Sequence, residues 1–380
     1  MSLPGRAGVV VIGGGAIGTS AAFHLAEAGV DVLLLERGEL GGGSTCKAAG
    51  GVRAQFSDPV NIELGARSLR AFEDFARRPG AAIDLRRNGY LFLLSTSDDV
   101  AAFAESVRLQ NDHGVPSRML STAEAGRLSP LVSTEDVLGA AFCPTDGHCT
   151  PEAVVQGYAA GIRRHGGTIR QHCAVTGIET TGGAVTAVHT AAGTVATSAV
   201  VCAAGVWSAE VGALAGVELP VRPLRRQIVV TEPIDDLPPQ LPFTIDFSTG
   251  FYFHDEGPGL LMGMPDPAAS TDPRPDDAWL GLLAETVQHR APRLAGVGAA
   301  HRWAGLYELS SDHNALVGAA AEVDGLVYAT GFSGHGFLQS PAIGEVLRDL
   351  VLGRTPPVDV GALDVRRFAG AGHRPERNLV

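Results

Sequence analysis

Three glycines, Gly13, Gly15 and Gly18, constrain this chain more than any other feature because of what flanks them. The preceding run Val9 to Ile12 is short and unbroken in its apolarity, the pattern of a strand covered on both faces in a parallel sheet. After them, Ala16 to Ala28 is rich in helix formers, Gly29 stands where helices commonly stop in the left-handed conformation, and Val30 to Leu35 reads as a second buried strand closed by Glu36. Strand, G-x-G-x-x-G, helix, strand and acid, in that order, predict a βαβ unit that binds a dinucleotide. Gly13 permits the tight turn, Gly15 lets the backbone approach a pyrophosphate, and Gly18 lets the helix pack on the strand. The helix start at Ala16 and Ile17 then points its free N–H groups at the phosphates. Glu36, 18 residues beyond Gly18, is placed to accept hydrogen bonds from a ribose, with Ile12 and Arg37 beside it in the predicted contact set. The plain alternative is a βαβ turn without ligand, which leaves the glycines and the acid as separate coincidences.

Composition narrows what the rest can be. With 380 residues, 45% of them hydrophobic, the chain can bury a large core, and two closely packed domains are expected. A net charge of −12 without a basic block argues against a nucleic-acid partner. No apolar stretch is long enough to span a membrane and no targeting signal opens the chain, so a cytoplasmic protein is expected. The five cysteines lack metal-ligand spacing and suit reduced thiols, so no metal is expected. Lys47 is the only lysine, so any chemistry requiring a lysine rests on it.

The segment after Glu36 is too small and polar for core. Its glycines and hydroxyls (Gly43-Ser44-Thr45-Cys46-Lys47-Ala48-Ala49-Gly50-Gly51-Val52-Arg53) suit backbone lying against a flat polar ligand. With the N-terminal fingerprint, this segment and DGHCTPEAVV (146–155), VVCAAGVWS (200–208), HRWAGLYELSSDHNALVG (301–318) and YATGFSGHGFLQSPAIGEVL (328–347), the chain resembles the D-amino-acid-oxidase-type family of FAD-dependent amine and amino-acid oxidoreductases. That family includes sarcosine oxidase, glycine oxidase, dimethylglycine dehydrogenase and the β subunit of L-proline dehydrogenase.

The resemblance implies an α/β fold: a Rossmann-like FAD-binding domain in three pieces (1–85, 146–222 and 310–370), a substrate domain of α+β type (86–145 and 223–309), and a tail (371–380). Strand-like runs at Gly89 to Ser95, Arg222 to Thr231, Gly250 to His254, Leu260 to Met264 and His301 to Leu309 would form an antiparallel sheet roofing the flavin. Pro151 to His165 reads as a helix with Thr150 as N-cap. Thr168 to Ile178 resembles the strand that touches adenine, which makes Val175 a backbone contact. The expected flavin contacts continue with Ser44, Thr45, Lys47, Ala48, Ala49, Gly50 and Gly51, with Ala203, Ala204, Gly205 and Trp207, with Gly305, and with Gly331, Gly334, His335, Gly336 and Phe337.

The family's reaction is hydride transfer from the carbon of a C–N bond to flavin N5, giving an imine that hydrolyses; the substrate is an amino acid or a related secondary or D-amine. Arg53 matches an arginine that binds the substrate carboxylate in sarcosine-oxidising members. Its structural alternative is an ion pair with Asp58. Tyr252 and His254 should share one strand face and Trp303 and Tyr307 another, each belonging either to the substrate box or to ordinary core. His335 either acts on substrate or organises its loop.

Departures from the family matter as well. Gly305 replaces the cysteine that bonds flavin covalently in monomeric sarcosine oxidase, and no histidine stands near Cys46 and Lys47, so FAD is expected to be non-covalent. Leu338 replaces a second carboxylate-binding lysine. Leu261 aligns near the lysine that assists oxygen, which favours a dehydrogenase slightly over an oxidase. The electron acceptor is oxygen or another carrier, and the chain works alone or as one subunit of an oligomer. A non-catalytic flavin-bound assembly subunit is the alternative function.

Overall fold

In the computed structural model, which describes residues 3–370 and 374–378, Val9–Ile12 lies within a six-stranded sheet. The order is Leu316–Ala319, Leu326–Thr330, Val200–Cys202, Val9–Ile12, Val32–Leu35 and Thr168–Arg170. Every neighbouring pair is parallel except the first, which is antiparallel. The unbroken apolarity has a direct cause. Val9 and Val11 enter a core shared with the helices Ala16–Glu27 and Gly336–Val351, whereas Val10 and Ile12 enter a core beneath the three-stranded sheet Val175–Thr181, Ala184–Thr190 and Gly193–Ala196. A strand buried on both faces has no solvent side for polar residues, and each buried Val or Ile contributes roughly 1.5–3 kcal/mol.

Gly13 and Gly18 take the turn and packing roles read for them. Gly13 sits at φ +114°, and a Cβ there would lie 2.2 Å from the Ala203 carbonyl oxygen. At Gly18 a Cβ would come within 1.9 Å of the Gly13 carbonyl oxygen, so side-chain absence lets the helix seat on the strand. Gly29, at φ +82°, follows the helix end as expected, and the second strand starts at Val32, two residues later than read.

The roof is an eight-stranded sheet in the order Ala299–Leu309, Arg222–Thr231, Gly259–Met264, Phe251–Glu256, Phe243–Asp246, Tyr90–Leu94, Gly139–Cys143 and Arg118–Leu120. It is not wholly antiparallel: Phe243–Asp246 pairs parallel with Tyr90–Leu94, which the long connection between them permits. Gly250 lies in a turn at φ +70°, outside the strand assigned to it.

Two local readings need correction. Thr168 to Ile178 is not one strand: Thr168–Arg170 joins the six-stranded sheet, His172 turns the chain at φ +54°, and Val175 opens a strand of the three-stranded sheet. Thr150 holds the N-cap position of Pro151–Arg164, but its side chain makes no capping hydrogen bond.

Candidate active site

The ends of the parallel strands and the roof sheet enclose a cavity of about 800 Å³. At its base the chain offers backbone rather than side chains. Glu36 accepts from the Gly14 N–H through Oε2 and from the Gly38 N–H through Oε1, both at 2.7 Å, which ties the acid at the second strand's end to the glycine turn. Thr45 Oγ1 accepts from the Ala16 N–H at 3.1 Å, drawing the Gly43–Gly51 segment onto the helix start. Further along, Ser44 Oγ donates to the Leu306 carbonyl at 2.5 Å and Trp303 Nε1 to the Lys47 carbonyl at 3.1 Å, so the same segment is fastened to the roof. A Cβ on Gly305 would stand 3.0 Å from Lys47 Cβ; glycine there lets roof and segment meet. Arg37 lies over the Trp207 ring, 3.5 Å from its centroid.

This base fits a dinucleotide. The wall contains Ile12, Gly13, Gly15, Ala16, Ile17, Glu36 and Arg37; Ser44, Thr45, Lys47, Ala48, Ala49, Gly50 and Gly51; Val175, Ala203, Ala204, Gly205 and Trp207; and Gly305, Gly334, His335, Gly336 and Phe337. Two expected contacts lie elsewhere. Gly18 is spent on helix packing, and Gly331 turns the chain at φ +69° against Val221, Leu316 and Ser310.

The other end of the cavity is built from side chains. Arg53, 4% exposed, reaches it from the segment after Gly51–Val52. Its Nη1 donates to the Gln55 carbonyl and its Nη2 to the Asn378 carbonyl at 2.8 Å. The guanidinium faces the Phe56 ring at 4.2 Å. It does not pair with Asp58, which accepts from the Val60 N–H as a helix N-cap and pairs with Arg374 at 2.7 Å. Arg53 therefore has no carboxylate partner among the described residues, and burial makes that costly unless a ligand supplies one.

His335 lies beside it, Nε2 3.4 Å from Arg53 Nη2 and the ring edge-on to Phe56. Burial, then the positive charge of Arg53, holds this imidazole well below its usual range, so it is neutral. Tyr252 and Tyr307 line the same chamber. The Tyr307 ring packs on Gly334, where a Cβ would come within 2.6 Å of it at φ +99°.

His254 and Trp303 are not part of this chamber. Both line a separate cavity of about 170 Å³, together with Leu261, Cys46 and His148. His254 shares its strand face with Tyr252, as expected; the Tyr252 ring stacks on Phe243 and the His254 ring meets it tilted. Its ring nitrogens, however, meet the Ala49 carbonyl at 2.8 Å and the Asp255 carbonyl at 2.7 Å, and burial lowers its pKa to about 3. It is a neutral structural ring that can donate through one nitrogen only. Because Leu261 also faces this smaller cavity, its apolar side chain carries no information about oxygen reactivity at the main one.

Sequence reasoning missed several wall residues. Tyr90 sits above Gly51, where a Cβ would lie 2.3 Å from its hydroxyl. Arg226 and Phe243 reach the wall from the roof. Glu308 is half-buried on the wall, accepts from Thr330 Oγ1 at 2.8 Å, and is raised by desolvation to about 7. Asp146 behind Arg53 is raised to about 7 by the same cause. An acid in the otherwise apolar and aromatic run Trp303 to Leu309, as Glu308 is, was the available signal.

The tail is more than an appendage. Glu376, 3% exposed, accepts from the Ser57 N–H and hydroxyl, the Asp58 N–H and Asn61 Nδ2, while the Asn378 carbonyl holds Arg53. Among the described residues no helix is long and apolar enough to cross a membrane, and no group of three or more His, Cys, Asp or Glu is placed to hold a metal.

Comparison with known proteins follows the same lines. Residues 8–350 match the family model described as DAO, FAD dependent oxidoreductase. The chain is 30% identical to 4-methylaminobutanoate oxidase (formaldehyde-forming) of Paenarthrobacter nicotinovorans, over 100% of this chain and 47% of that protein. It is also 30% identical to mitochondrial sarcosine dehydrogenase of Mus musculus, over 96% of this chain and 42% of that one. It thus spans less than half the length of these two relatives. The crystal structure of L-proline dehydrogenase from P. horikoshii superposes with a TM-score of 0.92 at 30% identity, covering 98% of this chain and 100% of that one.

Proposed function

The chain belongs to the DAO family of FAD-dependent oxidoreductases, and from that premise we propose that it oxidises the C–N bond of an amino acid or a related secondary or D-amine. The observation that carries this is the continuity of one cavity: a backbone cradle suited to FAD opens directly onto a chamber containing three phenols and a buried arginine with no carboxylate partner among the described residues. FAD, bound non-covalently in the cradle, supplies the two-electron acceptor for the substrate's α-carbon.

The protein's own part is to bind and orient. Arg53 grips the substrate carboxylate, its fork held from behind by the Gln55 and Asn378 carbonyls so that its remaining donors are aimed in advance. Tyr90, Tyr252 and Tyr307 form the walls, with hydroxyls available for polar contact and rings that exclude water. Neutral His335 adds no charge beside Arg53. Leu338, which also lines the cavity, contributes apolar surface only. The imine product requires only water to hydrolyse.

The domain division at 1–85, 146–222 and 310–370 against 86–145 and 223–309 belongs to the same proposal. Its support is that all strands of the six-stranded sheet fall in the first set and, apart from Arg222 at its edge, those of the eight-stranded sheet fall in the second. The free state of all five cysteines supports a reducing, cytoplasmic location.

Anaerobic titration of the FAD-loaded protein with N-methyl, cyclic, D- and L-amino acids tests the function. Bleaching of the visible flavin band by one class is the expected result, and its return on admitting air would identify oxygen as an acceptor. A flavin that dithionite reduces but no amine does would favour the assembly-subunit alternative. Acid precipitation should leave the pellet colourless; a yellow pellet would overturn non-covalent binding.

A further inference from the structure

Two adjacent arginines of one roof strand have opposite fates. Arg225 points to the far side of the sheet and is neutralised there by Asp266 at 2.6 Å and Asp276 at 3.0 Å. Arg226 points into the cavity and has no carboxylate partner among the described residues. Its Nη1 donates to the Arg225 carbonyl at 3.2 Å, its Nε is buried without a partner, and its guanidinium carbon lies 5.0 Å from the centroid of the Tyr307 ring. Tyr307 is the link to the other cation. Its ring rests on Gly334, and the next residue, His335, has its Nε2 3.4 Å from Arg53. The two guanidinium groups therefore approach one chamber from different walls, Arg53 from the flavin segment and Arg226 from the roof, with Tyr307 in the row that joins them.

Neither cation has a carboxylate partner among the described residues, and a chamber that buries one guanidinium and half-buries the other favours a ligand that brings two negative charges. Arginine's planar fork suits carboxylate at each position. The phosphates of a dinucleotide are served by the glycine turn and the helix start at the opposite end, so they do not account for Arg226. We propose that Arg226 is a second anion anchor and that the substrate is an amine bearing two acidic groups, one held by Arg53 and the other by Arg226. This rests on the reading of Arg53 as the carboxylate anchor.

The test uses FAD-loaded protein and non-oxidisable probes: succinate, glutarate and adipate, each matched with the monocarboxylate of the same chain length, followed through perturbation of the flavin band. At one chain length the dicarboxylate should bind about tenfold or more tightly than its partner, the worth of one charge-assisted pair. Arg226→Met should abolish that advantage, and Arg226→Lys, a cation without the fork, should retain part of it. Equal affinity for mono- and dicarboxylates at every length, or an advantage that survives Arg226→Met, would overturn the inference while leaving Arg53 in place. Loss of FAD from Arg226→Met would also overturn it, by assigning the residue to the cofactor. Silence of the flavin toward every carboxylate, unchanged in Arg53→Met, would remove the Arg53 reading itself and this inference with it.

Discussion

The two ends of the cavity solve different problems by different means. The cradle works with backbone: Gly13 must have no side chain, Thr45 and Glu36 only bind N–H groups, and the wall is largely glycine and alanine. The substrate chamber works with large side chains held by packing: Arg53 against Phe56, Tyr307 on Gly334, Tyr90 above Gly51. A backbone device tolerates almost no change at its few critical atoms, because steric exclusion has no graded form. A side-chain chamber loses function in steps, each the size of the contact removed.

Experiments can break or sharpen that contrast. The largest effect is expected for Gly13→Ala, which forces a Cβ against the Ala203 carbonyl at a positive φ. It should cost about 3 kcal/mol or more and yield protein without flavin, measured by bound FAD after purification and by thermal melting. Normal FAD content would show that the cradle is not a backbone device. Arg53→Met should raise KM for an amino-acid substrate about 100-fold while leaving FAD content and any uncharged amine's KM unchanged, a loss of about 2–3 kcal/mol.

Two acids on and behind the chamber wall give a pH signature. Glu308 and Asp146 have folded pKa values raised to about 7 by desolvation, above their unfolded values. The folded state thus holds protons that the unfolded chain releases earlier, so their stabilisation is full in acid and is lost as pH rises through about 7. Between about pH 5 and 8 the protein should lose about 1–3 kcal/mol for each acid, and Glu308→Gln should flatten its share of the slope in urea unfolding. A slope that Glu308→Gln leaves intact would rule out this account of Glu308.

Glu376→Ala tests whether the chamber extends to the tail. Removing a buried carboxylate that five donors address, the Asn378 N–H among them, should cost about 1–3 kcal/mol and, by loosening Asn378 behind Arg53, raise KM about tenfold with little change in kcat. A lowered melting point with unchanged KM would make the tail purely structural. The smallest effect should come from Trp303→Phe, which deletes one bond to the Lys47 carbonyl outside the chamber: about 1 kcal/mol of stability and KM within about twofold.

Much of the cradle was legible because its determinants are local. Gly18 and Gly29 meet packing and helix-end requirements set within a few residues of each, and the positive φ of Gly13 belongs to its own turn, although the carbonyl that bars a side chain there is that of distant Ala203. Along the roof strands, period-two alternation correctly put Tyr252 and His254 on one face. Alternation does not say what lies opposite that face. Two residues along a strand are roughly 6.6 Å apart, enough for Tyr252 to face the main cavity and His254 the Ala49 carbonyl and the smaller one.

The amino-acid order alone therefore determined the βαβ unit, the glycine positions and five of the eight roof strands. Only the tertiary structure decided that Arg226 faces the chamber while Arg225 faces away to its acids, that His254 and Trp303 are excluded, and that Asn378 holds Arg53 across a separation of 325 residues. The physical reason is range. Steric and hydrogen-bonding demands within a turn or strand are written in adjacent residues, whereas the partner of a side chain is fixed by which distant segments pack against it.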